Sequence, residues 1–480
     1  MVIRHENSIL STCAAVSGIA GPHAIGQSVA EGSLTVPISP SAAGVNCSPA
    51  PCVLPATLAS EGTSADIYAP VAVNPRNPAQ LIVGSDDGNC GHDTRVGFHV
   101  SSDAGSTWST TCLLGLSAFG LGFQPGDLPL VRYDLNGAAY IAAYYQTPPG
   151  PLQPSLIGIE KSTDGVTWSA PTVALGNGSS GIVYASLAVD QMQSSPYANS
   201  IYVLGINFAG PTQVLVSRSR DGGNTWTTAQ LATTPNADEY NPSLTIGMDG
   251  ALYAALMRCT FNEQGFLCAN DTDYMVFSKS SDGGVTWSHP KLVRSVHEVP
   301  DSCGCFPFGT IPNTTVYASN TPALAVDNSS GPYSGRLYIT MFEWTGTYMR
   351  VLVIHSSDGG NTWSKPVPVA PARETHDQFF PWISVSPTGL VGVSWFDRRN
   401  DPANIDYQAY AAISTNGGES FQQNVQLTTA SSNPDNNGYD GTLGRYAGNT
   451  WDGPNYFIAA WMDTSNGISS QDYVGGIRLH

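Results

Sequence analysis

Apolar and polar residues alternate through most of this 480-residue chain in short runs, and the runs return at regular intervals. Leu252-Tyr-Ala-Ala-Leu256 and Leu337-Tyr-Ile-Thr-Met341 are two of them, each followed within a few residues by polar or turn-forming residues. A period of two over four to eight residues between turn signals predicts half-buried strands rather than helices. A second pattern precedes several runs: Asp66-Ile-Tyr-Ala-Pro70, Asp238-Glu-Tyr-Asn-Pro242 and Asp377-Gln-Phe-Phe-Pro381, each leading into a further alternation. Ala185-Ser-Leu-Ala-Val-Asp190 and Thr321-Pro-Ala-Leu-Ala-Val-Asp327 are the same strand with an altered lead-in.

A third strand in each unit runs into the motif Ser-x-Asp-x-Gly-x-Thr-Trp, at Ser101–Trp108, Ser219–Trp226, Ser280–Trp287 and Ser356–Trp363. Ser162–Trp168 is one residue shorter, and Ser414–Phe421 is a decayed sixth copy. The Ser and Asp side chains suit turn amides, the Gly suits a backbone angle other residues avoid, and the Trp suits packing between sheets. The motif is thus a structural device. A fourth strand leaves it, and four short antiparallel strands per repeat make one blade of a β-propeller.

First strands begin near Tyr68, Asp127, Tyr184, Tyr240, Asn320, Phe379 and Arg445, which predicts an all-β propeller of seven four-stranded blades over residues 31–480. Six blades is the alternative. The seventh unit reaches His480 after three strands, and Leu34–Ile38 is the candidate for its missing outer strand. Residues 1–30 read as a leader or a disordered N-terminus.

Composition narrows the function classes. The net charge of −18 disfavours binding to phosphate backbones, so no nucleic-acid partner is expected. No apolar run is long enough to cross a bilayer. Oligomeric state cannot be read. Tyr (21) and Trp (10) are numerous enough to supply both sheet cores and sugar-stacking surfaces. Apart from Cys13, the cysteines fall into neighbouring pairs: Cys47/Cys52, Cys90/Cys112, Cys259/Cys268 and Cys303/Cys305. Loop-stapling disulfides would place the protein in an extracellular or periplasmic space, while free buried thiols are the other reading. The Cys303-Gly-Cys305 spacing is awkward for a direct bridge, so those two can instead reach Cys259 and Cys268.

Propeller strands alternate in direction, so second-strand ends and first-strand starts emerge on one face, opposite the turn motifs. The second-strand ring reads Asp86, Tyr145, Asn207, Arg258, Glu343, Asp397 and Asp463, and the first-strand ring includes Tyr68, Tyr240 and Arg445. Polar strand ends can simply mark where water begins. Convergence of so many charges on one mouth favours a ligand site. The densest clusters are Trp395-Phe-Asp397-Arg398-Arg399-Asn-Asp401 and the loop from Ser85 to Arg95. Asp397, Arg398 and Arg399 also fit a purely structural ion-pair lock between two blades.

The six turn motifs are the Asp-box signature, and on them the chain resembles the sialidase (neuraminidase) superfamily. The resemblance implies a propeller acting on carbohydrate, six-bladed in sialidase catalytic domains. It also implies three arginines holding a substrate carboxylate, a Tyr nucleophile supported by a Glu, and an Asp acid/base. The first-blade Phe/Tyr-Arg-Ile-Pro motif of sialidases meets Tyr68-Ala69-Pro70 here, without its arginine. Carried over, Asp86 or Asp87 is the candidate acid/base, Tyr240 the nucleophile and Glu343 its activator, with Asp397 alongside. Arg258, Arg398, Arg399 and Arg445 are the candidate carboxylate clamps, with Tyr145 and Asp463 lining the mouth. No metal and no cofactor is expected. Three functions fit: a glycoside hydrolase on an extracellular anionic carbohydrate, a polysaccharide lyase using an Arg and a Tyr or His (His92, His376), or a non-catalytic glycan- or protein-binding propeller.

Overall fold

Each predicted alternation buries one face against a neighbouring sheet, and the computed structural model assembles them into seven antiparallel sheets. It describes residues 51–479 apart from 63, 92–94, 149–152, 234–236, 261–271, 301–308, 439–440 and 445, and apart from the side chains of 260, 272 and 422. Blade 1 comprises Val71–Val73, Leu81–Asp87, Val96–Ser101 and Ser109–Cys112, with the short Asp66–Ile67 paired to the end of its second strand. Blade 2 comprises Leu121–Tyr133, Ala139–Gln146, Ser155–Ser162 and Thr172–Leu175, with Leu116–Ala118 at its inner edge. Blade 3 is Ile182–Val189, Ile201–Asn207, Gln213–Ser219 and Thr227–Leu231, and blade 4 is Ala237–Ile246, Leu252–Thr260, Thr272–Ser280 and Lys291–His297. Blade 5 is Ala323–Val326, Leu337–Trp344, Met349–Ser356 and Val367–Pro368, and blade 6 is Gln378–Val385, Val391–Asp397, Gln408–Ser414 and Gln422–Gln426. The innermost strands touch in sequence around an axis, and the ring closes where Val71–Val73 meets Gly448–Asp452 of blade 7.

Blade 7 combines Gly448–Asp452, Tyr456–Asp463 and Gln471–Arg478 with an outer strand from the N-terminal side. That strand is Cys52–Leu58, which pairs Cys52 with Arg478 and Leu58 with Tyr473. It corrects the expectation for Leu34–Ile38, a segment outside the described residues. Pro55 falls in a register shift between Leu54 and Thr57, where a missing donor is tolerated.

The Asp-boxes hold as turns. In the third, Ser219 Oγ donates to Asp221 Oδ1 at 2.8 Å, and the amides of Asn224 and Thr225 donate to the same oxygen. Thr225 Oγ1 donates to Asp221 Oδ2 at 2.6 Å. Two of the Trp residues then pack on a third-strand aromatic of the preceding blade: Trp168 lies 4.5 Å from Phe98 and Trp363 lies 5.5 Å from Phe277, centroid to centroid. Gly360 has to be glycine, since its φ is +85° and a Cβ would stand 2.2 Å from the Phe277 ring.

The lead-in pattern before Pro is a bulge. Leu128, Asn241 and Phe380, each immediately before a proline, have φ of 56°, 46° and 47° at register shifts of the first strands. Such bulges turn the strand ends and re-aim their side chains at the mouth of the ring.

Candidate functional site

Blade 4 brings the chemistry together. Its first strand carries Tyr240, its third strand begins beside Asp273, and Glu298 follows its fourth strand. All three positions open on the face opposite the Asp-boxes. The Tyr240 hydroxyl donates a short hydrogen bond to Asp273 Oδ2. Tyr240, Asp273 and Glu298 are each at most 4% exposed. Burial pushes the Asp273 carboxyl up to about 7, although the Tyr240 hydrogen bond opposes the shift. Burial, and then the charge of Asp273, push Glu298 well above the usual carboxylate range. Burial and the same two carboxylates also hold the Tyr240 phenol well above its ordinary value. The result is a phenol against a carboxylate poised near neutrality, with a second carboxyl raised by burial nearby. Such an environment separates acid from base roles.

Around this core, Arg258 stands opposite Glu239 in the strand ladder and stacks on Tyr274 at 5.7 Å. Asn241 Nδ2 donates to Ser319 Oγ at 2.6 Å and to the Asn320 carbonyl at 2.8 Å, tying the bulge to the approach of blade 5.

The partner of Tyr240 is Asp273, not Glu343. Glu343, the expected activator, is held by Arg294, whose Nη2 lies 2.9 and 2.8 Å from its two carboxylate oxygens. Asp273 and Glu298 were missed because the two rings read from sequence covered first-strand starts and second-strand ends only. Third-strand starts and fourth-strand ends open on the same face.

The other expected site residues are placed elsewhere. Asp86 and Asp87 end the second strand of blade 1, at most 2% exposed. Asp87 caps the short helix Gly88–Cys90 by accepting from the Asn89 amide at 2.7 Å. Tyr145 is buried, with its hydroxyl donating to the Leu114 carbonyl at 3.1 Å, so it packs between blades 1 and 2 instead of lining the mouth. Asp463 accepts from the Ser465 amide and Ser432 Oγ, which holds a turn. Asp397 accepts from Trp395 Nε1 and is gripped by Arg399 through Nε at 2.8 Å and Nη2 at 2.5 Å. Arg399 also lies 4.3 Å over the Tyr410 ring. An open groove beside it, lined by Arg373, Phe421 and Asn424, runs along the outer strands of blades 5 and 6, apart from Tyr240. Arg398 is fully buried on Asp377, Pro312 and Asn404. Arg445 and His92 lie outside the described residues, and His376 pairs with Glu374 at 2.6 Å.

Cys90 and Cys112 form a disulfide with Cα atoms 5.4 Å apart, as the spacing suggested. Cys52 and Cys259 are also disulfide-bonded, and no free cysteine occurs among the described residues.

Comparison with known proteins supplies the family. The family model described as the BNR repeat-like domain matches residues 84–324, half of the chain. This chain belongs to the BNR repeat-like family. That membership bears out the resemblance carried by the Asp-boxes. A relative, a sialidase of Micromonospora viridifaciens, is 26% identical over 233 residues, 45% of this chain. The match spans about a third (32%) of that relative's length. Among solved structures, a protein of unknown function from Dyadobacter fermentans aligns over 90% of this chain and all of its own, with TM-score 0.48 and 13% identity. The intramolecular trans-sialidase of Ruminococcus gnavus aligns over 72% of this chain and 94% of its own, with TM-score 0.47 and 13% identity. Nothing about activity follows from either structure.

The site and the Asp-boxes set opposite pH dependences. The hydroxyl of Thr225 and then its amide hold Asp221 down to about 2, and those of Thr362 do the same for Asp358. Their contribution is complete above 3.8 and is lost as pH falls through 2. Asp273 and Glu160 are both raised by burial to about 7, so theirs is complete in acid and is lost as pH rises through 7. Thermal unfolding followed from about pH 2 to 9 is expected to peak near pH 4, where the Asp-box carboxylates are ionised and the raised carboxyls have only begun to lose their contribution. A midpoint that climbs steadily from pH 5 to 8 would contradict these shifts.

Proposed function

We propose that this protein is a sialidase-type glycoside hydrolase acting on an extracellular, anionic carbohydrate at the mouth of the propeller. The carrying observation is the Tyr240 phenol donating to Asp273 beside buried Glu298. Tyr240 is the nucleophile: Asp273 takes its proton as the phenol oxygen attacks the anomeric carbon. A neutral phenol approaches an anionic sugar without the repulsion a carboxylate nucleophile would meet. Glu298, kept protonated, protonates the departing oxygen. Arg258 is the clamp nearest this centre along the strand ladder. The sialidase relative supports the substrate class, and the disulfides support export. No helix among the described residues is long and apolar enough to cross a membrane.

Incubation with a panel of anionic and neutral glycans, reading new reducing ends and unsaturated-uronate absorbance together, tests the reaction class. New reducing ends without uronate absorbance are expected. Uronate absorbance would make the protein a lyase, and silence in both channels across the panel would remove the hydrolase reading.

A further inference from the structure

Three blades round the ring from Tyr240, the joint between blades 7 and 1 holds a second cluster that the proposed reaction does not use. Asp66 begins the edge strand of blade 1, Asp87 ends its second strand, His99 lies on its third, and Asp472 lies on the third strand of blade 7. All four side chains are completely buried. A ligand atom from each of Asp66, Asp87 and His99 lies within 4.8 Å of the others, and His99 Nε2 is 3.7 Å from Asp472 Oδ2.

The polar inventory of this cluster does not close. Among the described residues, no Lys or Arg pairs with Asp66, Asp87 or Asp472. His99 Nε2, Asp87 Oδ2 and both Asp472 carboxylate oxygens have no hydrogen-bond partner. Ser85 is near enough to influence Asp472 but makes no sound bond to it, and its Oγ stands 3.5 Å from Asp66 Oδ1. Gln471 Nε2 reaches Asp66 Oδ2 at 3.3 Å. A buried carboxylate oxygen without a donor costs far more than an unmade neutral hydrogen bond, so Asp87 and Asp472 around one imidazole call for a positive centre.

The surroundings are arranged as a cation site requires. His99 Nδ1 lies 2.9 Å from Thr110 Oγ1. With Nδ1–H donating to that hydroxyl, the Nε2 lone pair points at the carboxylates, as the outer partner of a metal-bound imidazole commonly arranges. The Asn89 amide holds Asp87 Oδ1 and leaves Oδ2 to face inward. The Cys90–Cys112 bridge clips the same loop, and Gly97 leaves room for it: a Cβ there would stand 2.9 Å from Cys90 Sγ and 3.1 Å from Asp87 Oδ2. Zinc-to-ligand distances of about 2.0–2.2 Å in a tetrahedral site put ligand atoms roughly 3.4 Å apart. The spread of up to 4.8 Å among Asp66, Asp87 and His99 therefore closes by about an ångström when the ion is held.

We propose that Asp66, Asp87, His99 and Asp472 bind one divalent first-row transition-metal ion that fastens blade 7 to blade 1. One imidazole among three carboxylates suits zinc or manganese, whereas calcium prefers oxygen ligands alone and more of them. The role is structural, because four protein ligands leave no open coordination position for a substrate.

The test uses the full chain. Elemental analysis after purification from medium supplied with zinc and manganese is expected to find close to one equivalent of one of them. Chelation should lower the unfolding midpoint by at least roughly 5 °C, and returning that metal, but not calcium, should restore it. His99→Gln and Asp472→Asn should abolish both the bound metal and the metal-dependent shift. If those variants do not fold, the chelation and return experiment on the unaltered protein decides. Metal-free protein whose midpoint ignores chelator, zinc and manganese would overturn the proposal, leaving shared protons to neutralise the cluster. Restoration by calcium alone would overturn the transition-metal assignment. Glycan turnover is not a readout, so this result stands apart from the proposal for Tyr240.

Discussion

Replacing Arg398 by alanine is expected to cost about 3–5 kcal/mol of folding stability. Arg398 is completely buried, and its Nη1 reaches Asp377 Oδ2 at 3.2 Å and the carbonyls of Pro312 and Asn404 at 2.8 and 2.9 Å. Asp377 Oδ1 in turn accepts the Met349 amide of blade 5, and its Oδ2 accepts Asn404 Nδ2. The pair therefore ties blade 6 to blade 5 and to the segment leading into it. Burial raises the Asp377 pKa and lowers that of Arg398, so for each partner desolvation outweighs mutual attraction. Such a pair adds little net stability when made, but breaking it strands one buried charge. Asp377→Leu combined with Arg398→Met should then recover most of the loss, because both charges leave together. Chemical denaturation of the single and double variants measures this. An Arg398→Ala protein with unchanged stability and weakened glycan binding would instead make Arg398 a ligand clamp.

Tyr240→Phe should reduce kcat/KM by at least about 10²-fold while lowering stability by only about 1–3 kcal/mol, since the ring and its packing on Tyr184 at 6.4 Å are kept and only the hydroxyl on Asp273 is lost. Asp273→Asn should lower the rate to a similar extent, because an amide cannot take the phenol proton. The double variant should be little worse than either single, as expected of residues acting as one unit. Additive losses would mean that the hydrogen bond between them is not part of the reaction.

The sequence carried the ring more completely than the site. Six Asp-boxes and the lead-ins of the first strands define blades because each depends on local bonds: Ser219 to Asp221, or a bulge before Pro242. The closing strand hid behind Pro55, whose tolerance depends on a pairing 417 residues away, as in the contact of Thr57 with Val474. Charged strand ends were visible as a ring, yet the ring does not say which members pair. Arg399 takes Asp397, Arg294 takes Glu343, and Arg398 turns inward to Asp377. Asp273 gave no signal, since its meaning comes from Tyr240 lying 33 residues away on a strand two places across the sheet.

A trapped intermediate tests most directly whether Tyr240 attacks the sugar. A slowly hydrolysed, activated substrate chosen from the panel is mixed with the protein, quenched in acid and analysed by peptide mass spectrometry. One sugar residue attached to the peptide containing Tyr240, absent from Tyr240→Phe, is the expected result. An adduct on another residue, or full turnover by Tyr240→Phe, would contradict it.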